Sequence, residues 1–132
     1  MFFNITIIVS VIMVFSMALL QFSLILGAPF GEFVLGGQHK VLPAKMRFVS
    51  GGCCFVFLLV GLSYLQVAGA VSSLFDPVFV KLLLIAFTVF ISFAVISNAF
   101  ITKSKKEKYV MTPCSIIQLI CSLFVLIYGY VL

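Results

Sequence analysis

Four long apolar runs, at 5–27, 48–67, 77–100 and 113–132, take up most of the chain, and all but one of its charged side chains lie in the three segments between them. A helix needs about 20 apolar residues to cross a hydrocarbon layer about 30 Å thick, so each run is long enough to span. Composition closes off the soluble alternatives. Of 132 residues, 64% are hydrophobic and 8% charged, with mean hydropathy +1.39, whereas a soluble domain carries roughly 25% charged residues. A water-soluble globule or a disordered chain is excluded. Strands of a membrane barrel would run about ten residues and alternate polar with apolar, which these do not. In lipid the backbone must satisfy its own hydrogen bonds. The expected fold is therefore all-α: a polytopic membrane four-helix bundle forming one domain over 1–132.

Two helix starts are marked by chemistry. Asp76 before Pro77, and Thr112 before Pro113, each pair a side-chain oxygen able to accept an orphan amide with a residue of preset φ and no N–H to leave unpaired. Ser104 and Glu107 have the spacing of a capping box, which predicts a short helical turn ahead of span four. The first run has no basic segment before it and no small-residue cleavage pattern after it, so a spanning helix is expected rather than a cleaved signal.

Orientation follows from the basic residues. Lys40, Lys45 and Arg47 lie in loop one (28–47), and Lys103, Lys105, Lys106 and Lys108 in loop three (101–112); of the eight, only Lys81 lies on the opposite side. The positive-inside rule then puts loops one and three in the cytoplasm and both termini outside. The net charge of +5 is explained by this topology and by attraction of the cluster at 103–108 to anionic headgroups, and nucleic acid is not an expected partner. Lys81 is expected to snorkel to the outer surface, near Asp76.

The polar residues within the spans collect toward loops one and three. On span four, Cys114, Gln118, Cys121 and Ser122 fall at i, i+4, i+7 and i+8, one helical face, and with Gln21 of span one they form a stripe expected to face the bundle. Thr88 and Ser92 share a face of span three, and Ser50, Cys53 and Cys54 lie in the loop-one half of span two. Gln66, Tyr64 and Tyr128 are placed toward the outer interface. Small and weakly polar residues of this kind act as interhelical glue; the other reading is a polar pocket beneath loops one and three. No Asp, Glu or His falls within the predicted spans, which argues against ion-coupled transport. The four cysteines lack a C-x-x-C pair and are taken as small packing residues. A lone His39 with Glu32 makes a poor metal site, and no metal or cofactor is expected.

Loop one holds too many Gly and Pro for a helix and too many apolar residues, Phe30 and Leu42 among them, for a solvated linker, so it is expected to fold back onto the bundle. Its run Gly27, Ala28, Pro29, Gly31, then Gly36, Gly37, His39, Leu42, Pro43, Arg47 and Ser50, followed by Asn98, Ala99, then Thr102, Ser104, Glu107 and finally Pro113, resembles the pattern of a family of small, uncharacterised bacterial four-span membrane proteins. Met111 stands where that pattern has an aromatic residue. The resemblance implies a bacterial cytoplasmic membrane and one site built from two loops, with Glu32, Gly36, Gly37, His39 and Arg47 facing Asn98, Ser104 and Glu107. It implies no reaction. Three functions stay open: a non-enzymatic accessory or interaction subunit working with a membrane partner or a second copy, which the absence of a nucleophile–base pair favours; an inner-leaflet lipid or prenyl enzyme with His39 or Glu32 as acid–base; and an oligomeric transporter or facilitator.

Overall fold

The computed structural model describes residues 2–31, 40–105 and 107–131. Glu32, Gly36, Gly37 and His39 lie outside the described residues, as does Lys106. Four helices carry the fold: α1 (Phe2–Ile25), α2 (Ala44–Val67), α3 (Pro77–Ile96) and α4 (Thr112–Leu126). π-helical turns extend them at Ser97–Ile101, Glu107–Met111 and Ile127–Val131. All four are long and apolar enough to cross a membrane, and no strand occurs among the described residues. The chain is a multi-pass α-helical membrane protein.

α1 packs along α2 and α4, and α3 along α4, while the contact between α2 and α3 is the slightest of those around the ring. Each helix buries one stripe: Ile7, Ser10, Val14, Ala18, Gln21 and Leu24 on α1, Ser50, Cys54, Phe57, Val60 and Tyr64 on α2, Val80, Leu84, Phe87 and Ile91 on α3, and Ser115, Gln118, Ser122 and Val125 on α4. Spacings of three and four keep each set on one face. Large side chains such as Phe22, Phe55, Phe93 and Ile120 point outward, as lipid-facing positions should. Lipid tails are as apolar as the core, so tightness comes from close approach rather than from expelling water. α1 and α2 show this at Gly61, where a Cβ would lie 2.6 Å from Phe15 Cζ.

The helix ends follow local chemistry. Asp76 caps α3 as expected, its Oδ1 accepting from Val78 N–H at 2.9 Å with Pro77 in the first turn. α1 and α2 end alike. At Gly27 (φ 93°) and Gly69 (φ 77°), bonds run from Gly27 N–H to Leu24 O and from Ala28 N–H to Ser23 O, and likewise from Gly69 to Gln66 and from Ala70 to Leu65. This is the Schellman closure, which needs a left-handed residue that glycine adopts without strain. Beyond α1, Leu42 folds back and is buried with Leu24, with Leu20 and Met46 against the pair, while Phe30 and Val41 stay exposed.

Span four departs from its expected start. Thr112 is not its cap: the preceding residue Met111 already has helical dihedrals and no side-chain cap bond forms. A π turn over Glu107–Met111 runs directly into α4. Pro113 has no N–H to give to the previous turn and its ring needs room there; the wider winding of 107–111 supplies it. A proline that looks like a helix start therefore sits inside the fourth spanning helix, which runs from Glu107 to Tyr130. The carboxyl group of Glu107 stands at the first residue of this helix, at its end toward loop three.

Candidate functional site: a cavity between the four helices

The half of the bundle toward loops one and three contains a cavity of about 340 Å³ to which all four helices contribute. Its walls are chiefly apolar, with Met13 and Met17 from α1, Phe57 from α2, and Phe87, Phe90 and Ile91 from α3. Phe57 meets Phe87 and Phe90 edge-on at centroid distances of 6.1 and 6.4 Å, so the slight α2–α3 seam is bridged by aromatic contacts. Polar groups join the lining from four directions: Gln21, Ser50, Asn98, and the set Glu107, Ser115 and Gln118.

Glu107 is 5% exposed. Its Oε2 accepts from Thr102 Oγ1 at 2.8 Å, and its N–H donates to Ser104 Oγ at 3.3 Å. Thr102 Oγ1 also accepts from Ser104 N–H at 3.2 Å. The expected Ser104 cap thus forms, but the Glu side chain reaches Thr102 instead of completing a reciprocal box. Asn98 sits on the π turn that continues α3 and donates through Nδ2 to Ser115 Oγ at 3.0 Å. Gln118, 4% exposed, donates through Nε2 to Tyr64 OH at 3.4 Å. Among the described residues its Oε1 has no hydrogen-bond partner, and neither has Ser50 Oγ, on a residue 1% exposed. Buried polar groups are nearly always paired. Of the four buried side-chain oxygens without a partner among the described residues, Ser10 Oγ, Ser50 Oγ, Thr112 Oγ1 and Gln118 Oε1, those of Ser50 and Gln118 belong to residues on the wall of this cavity, where a polar group of a ligand could meet them.

On the loop-two side the cavity ends at a hydrogen-bonded layer. Tyr64 OH donates to Ser122 Oγ at 3.1 Å, Ser122 Oγ also bonds Thr88 Oγ1, and Thr88 Oγ1 reaches Leu84 O at 2.8 Å. Tyr64 is therefore a core residue with no exposure, not an interfacial one. Helical side chains lean toward the helix N-terminus, which carries its phenol from the end of α2 back toward the bundle middle. Gln66, also expected at the interface, holds loop two: Nε2 donates to Phe75 O at 2.9 Å, and Oε1 accepts from Leu74 and Phe75 N–H at 3.1 and 3.0 Å. Lys81 lies over the Tyr130 ring at 5.8 Å, with an exposed side chain.

The structure thus merges two sets that the sequence kept apart. Asn98 and Glu107 from the loop group meet Gln21, Cys114 and Gln118 from the stripe around one cavity. Ser122 belongs to the layer beyond it, and Cys121 is half-buried. Arg47 goes elsewhere: its Nε donates to Leu42 O at 2.9 Å and its guanidinium lies beside Gly27, where a cation complements the C-terminal end of α1. Ser115 was missed, although it lies three residues before Gln118 on the same face. All four cysteines are free thiols, and no cluster of metal-ligating side chains occurs among the described residues.

Fold and site define a class, a four-span membrane bundle with an intramembrane cavity. Compared with protein-family models, curated proteins and solved structures, the chain finds no match in any of the three.

Proposed function

We propose that this protein is a non-enzymatic membrane subunit that keeps a small amphipathic molecule between its helices, on the side of loops one and three. The observation that carries this reading is the 340 Å³ cavity with apolar walls and two unpaired buried polar atoms, Gln118 Oε1 and Ser50 Oγ. Such a combination of apolar lining and few convergent polar groups is characteristic of ligand sites, and the volume lies at the small end of their range of roughly 300–1,000 Å³. The distribution of Lys and Arg supports loops one and three in the cytoplasm and both termini outside. The exposed Lys103, Lys105 and Lys108 suit anionic headgroups there. The resemblance in loop pattern supports a bacterial cytoplasmic membrane and a family of small four-span proteins. A membrane partner or second copy would pack against the outward-facing aromatic side chains.

A second reading, a facilitator or transporter working as an oligomer, is favoured by Glu107, a buried carboxyl at the loop-three end of the fourth helix, because ionisable groups that face the interior of a membrane bundle mark functional sites. Native mass spectrometry of the protein extracted gently from its own membrane tests the first reading. A small-molecule adduct at one per chain is the expected result. A bare chain, with or without a stoichiometric protein partner, would overturn the ligand-holding role.

A further inference from the structure

We propose that the cavity takes an organic ammonium, a protonated primary or secondary amine on a one- or two-ring or branched aliphatic body. The inference rests on the ligand-holding reading above and names the chemistry of what is held.

Hydrogen-bond polarity points first. Of the three amides on the wall, Gln21, Asn98 and Gln118, Asn98 Nδ2 donates to Ser115 and Gln118 Nε2 to Tyr64, while Gln118 Oε1 accepts from no donor among the described residues. Glu107 brings a further acceptor group to the same lining, and a carboxylate has lone pairs beyond the one engaged by Thr102. Gln118 Oε1 and the remaining lone pairs of Glu107 are acceptors that an N–H or O–H donor on a ligand would meet. Charge points next. Among the described lining residues Glu107 is the one formal charge, and no Lys or Arg joins it, in a chain whose net charge is +5. An anionic ligand would meet a buried like charge; a cation would pair with it, which is how buried charges are tolerated. The walls agree. Phe57, Phe87 and Phe90 offer rings to a cation, and Met13, Met17 and Met111 are polarizable and adaptable in shape. Size limits the body: 340 Å³ is about twice the ~150 Å³ that accommodates benzene.

The test uses the full chain in nanodiscs and tritiated 2-phenylethylammonium as probe, with 2-phenylethanol and 3-phenylpropionate as neutral and anionic competitors. Saturable binding is expected, with the alcohol at least tenfold weaker and the carboxylate not competing. Glu107→Gln should lower the ammonium affinity tenfold or more while leaving the alcohol within twofold. Asn98→Asp in the Glu107→Gln background should recover much of the loss by returning a carboxyl group to the lining. Should Glu107→Gln lose its helical spectrum, Asn98→Asp alone decides: a higher affinity for the ammonium but not for the alcohol is expected. Equal binding of ammonium and alcohol, insensitive to both substitutions, would overturn the ammonium proposal and leave the ligand-holding cavity intact. Displacement by the carboxylate would also overturn it. Absence of saturable binding by ammonium and alcohol alike in the folded wild type overturns this proposal; whether the cavity holds any ligand is then read from the adduct measurement above.

Discussion

The two halves of the bundle use similar residues in opposite ways. Toward loop two, most polar side chains satisfy one another: Tyr64, Ser122 and Thr88 link α2, α4 and α3, and Gln66 fixes the turn that follows α2, while Ser10 Oγ, buried on α1, has no partner among the described residues. Toward loops one and three, Ser50 and Gln118 are just as buried, yet each carries an atom without a partner beside a cavity. Without a hydrophobic force between helices in lipid, packing and hydrogen bonds hold them together. The loop-two half thus acts as the clamp, and the other half gives up packing for space. A bundle selected for stability alone would fill that space.

Four substitutions sharpen the contrast, each read from reversible unfolding in mixed micelles. Tyr64→Ala removes a fully buried ring and the hydroxyl on which Ser122 and Gln118 converge, and should cost about 3–5 kcal/mol. Gly61→Val drives a side chain into Phe15 and should cost about 1–3 kcal/mol by overpacking. Gln66→Ala loses three hydrogen bonds in loop two, for an expected loss of about 1–2 kcal/mol. Ser50→Ala, although just as buried as Tyr64, should change stability by less than about 0.5 kcal/mol, since its Oγ has no partner among the described residues and removing an unpaired polar atom is not destabilising. A Ser50→Ala cost as large as that of Gln66→Ala would erase the difference between the halves.

The sequence made the helices legible because lipid leaves the backbone no other structure, and it marked Asp76 as a cap because oxygen and proline stand together there. It misread Thr112 as a cap for the same reason, since Thr112 and Pro113 carry the same signal while the π turn at Glu107–Met111 runs directly into α4 and absorbs the proline. On α4 the buried face is Ser115, Gln118, Ser122 and Val125, while Cys114 and Cys121 of the expected stripe are half-buried beside it. Neighbouring residues differ by about 100° around a helix, and with polar side chains on both, the pattern does not choose. Tyr64 lies three residues before the end of α2, and its depth depends on Ser122 of another helix, a pairing that local sequence does not encode. Glu107 is legible both as a capping-box residue and as a member of the two-loop group, but its place on the cavity wall depends on the π turn that leads into α4.

The most direct test of the contrast is to fill the cavity. Ala94 lines it from α3, so Ala94→Phe should raise the unfolding midpoint and remove the small-molecule adduct together, because added contacts occupy space that the wild-type chain leaves for a ligand. If Ala94→Phe instead destabilises the bundle as Gly61→Val does, or keeps the adduct, the half toward loops one and three is packed like the other and holds no ligand there.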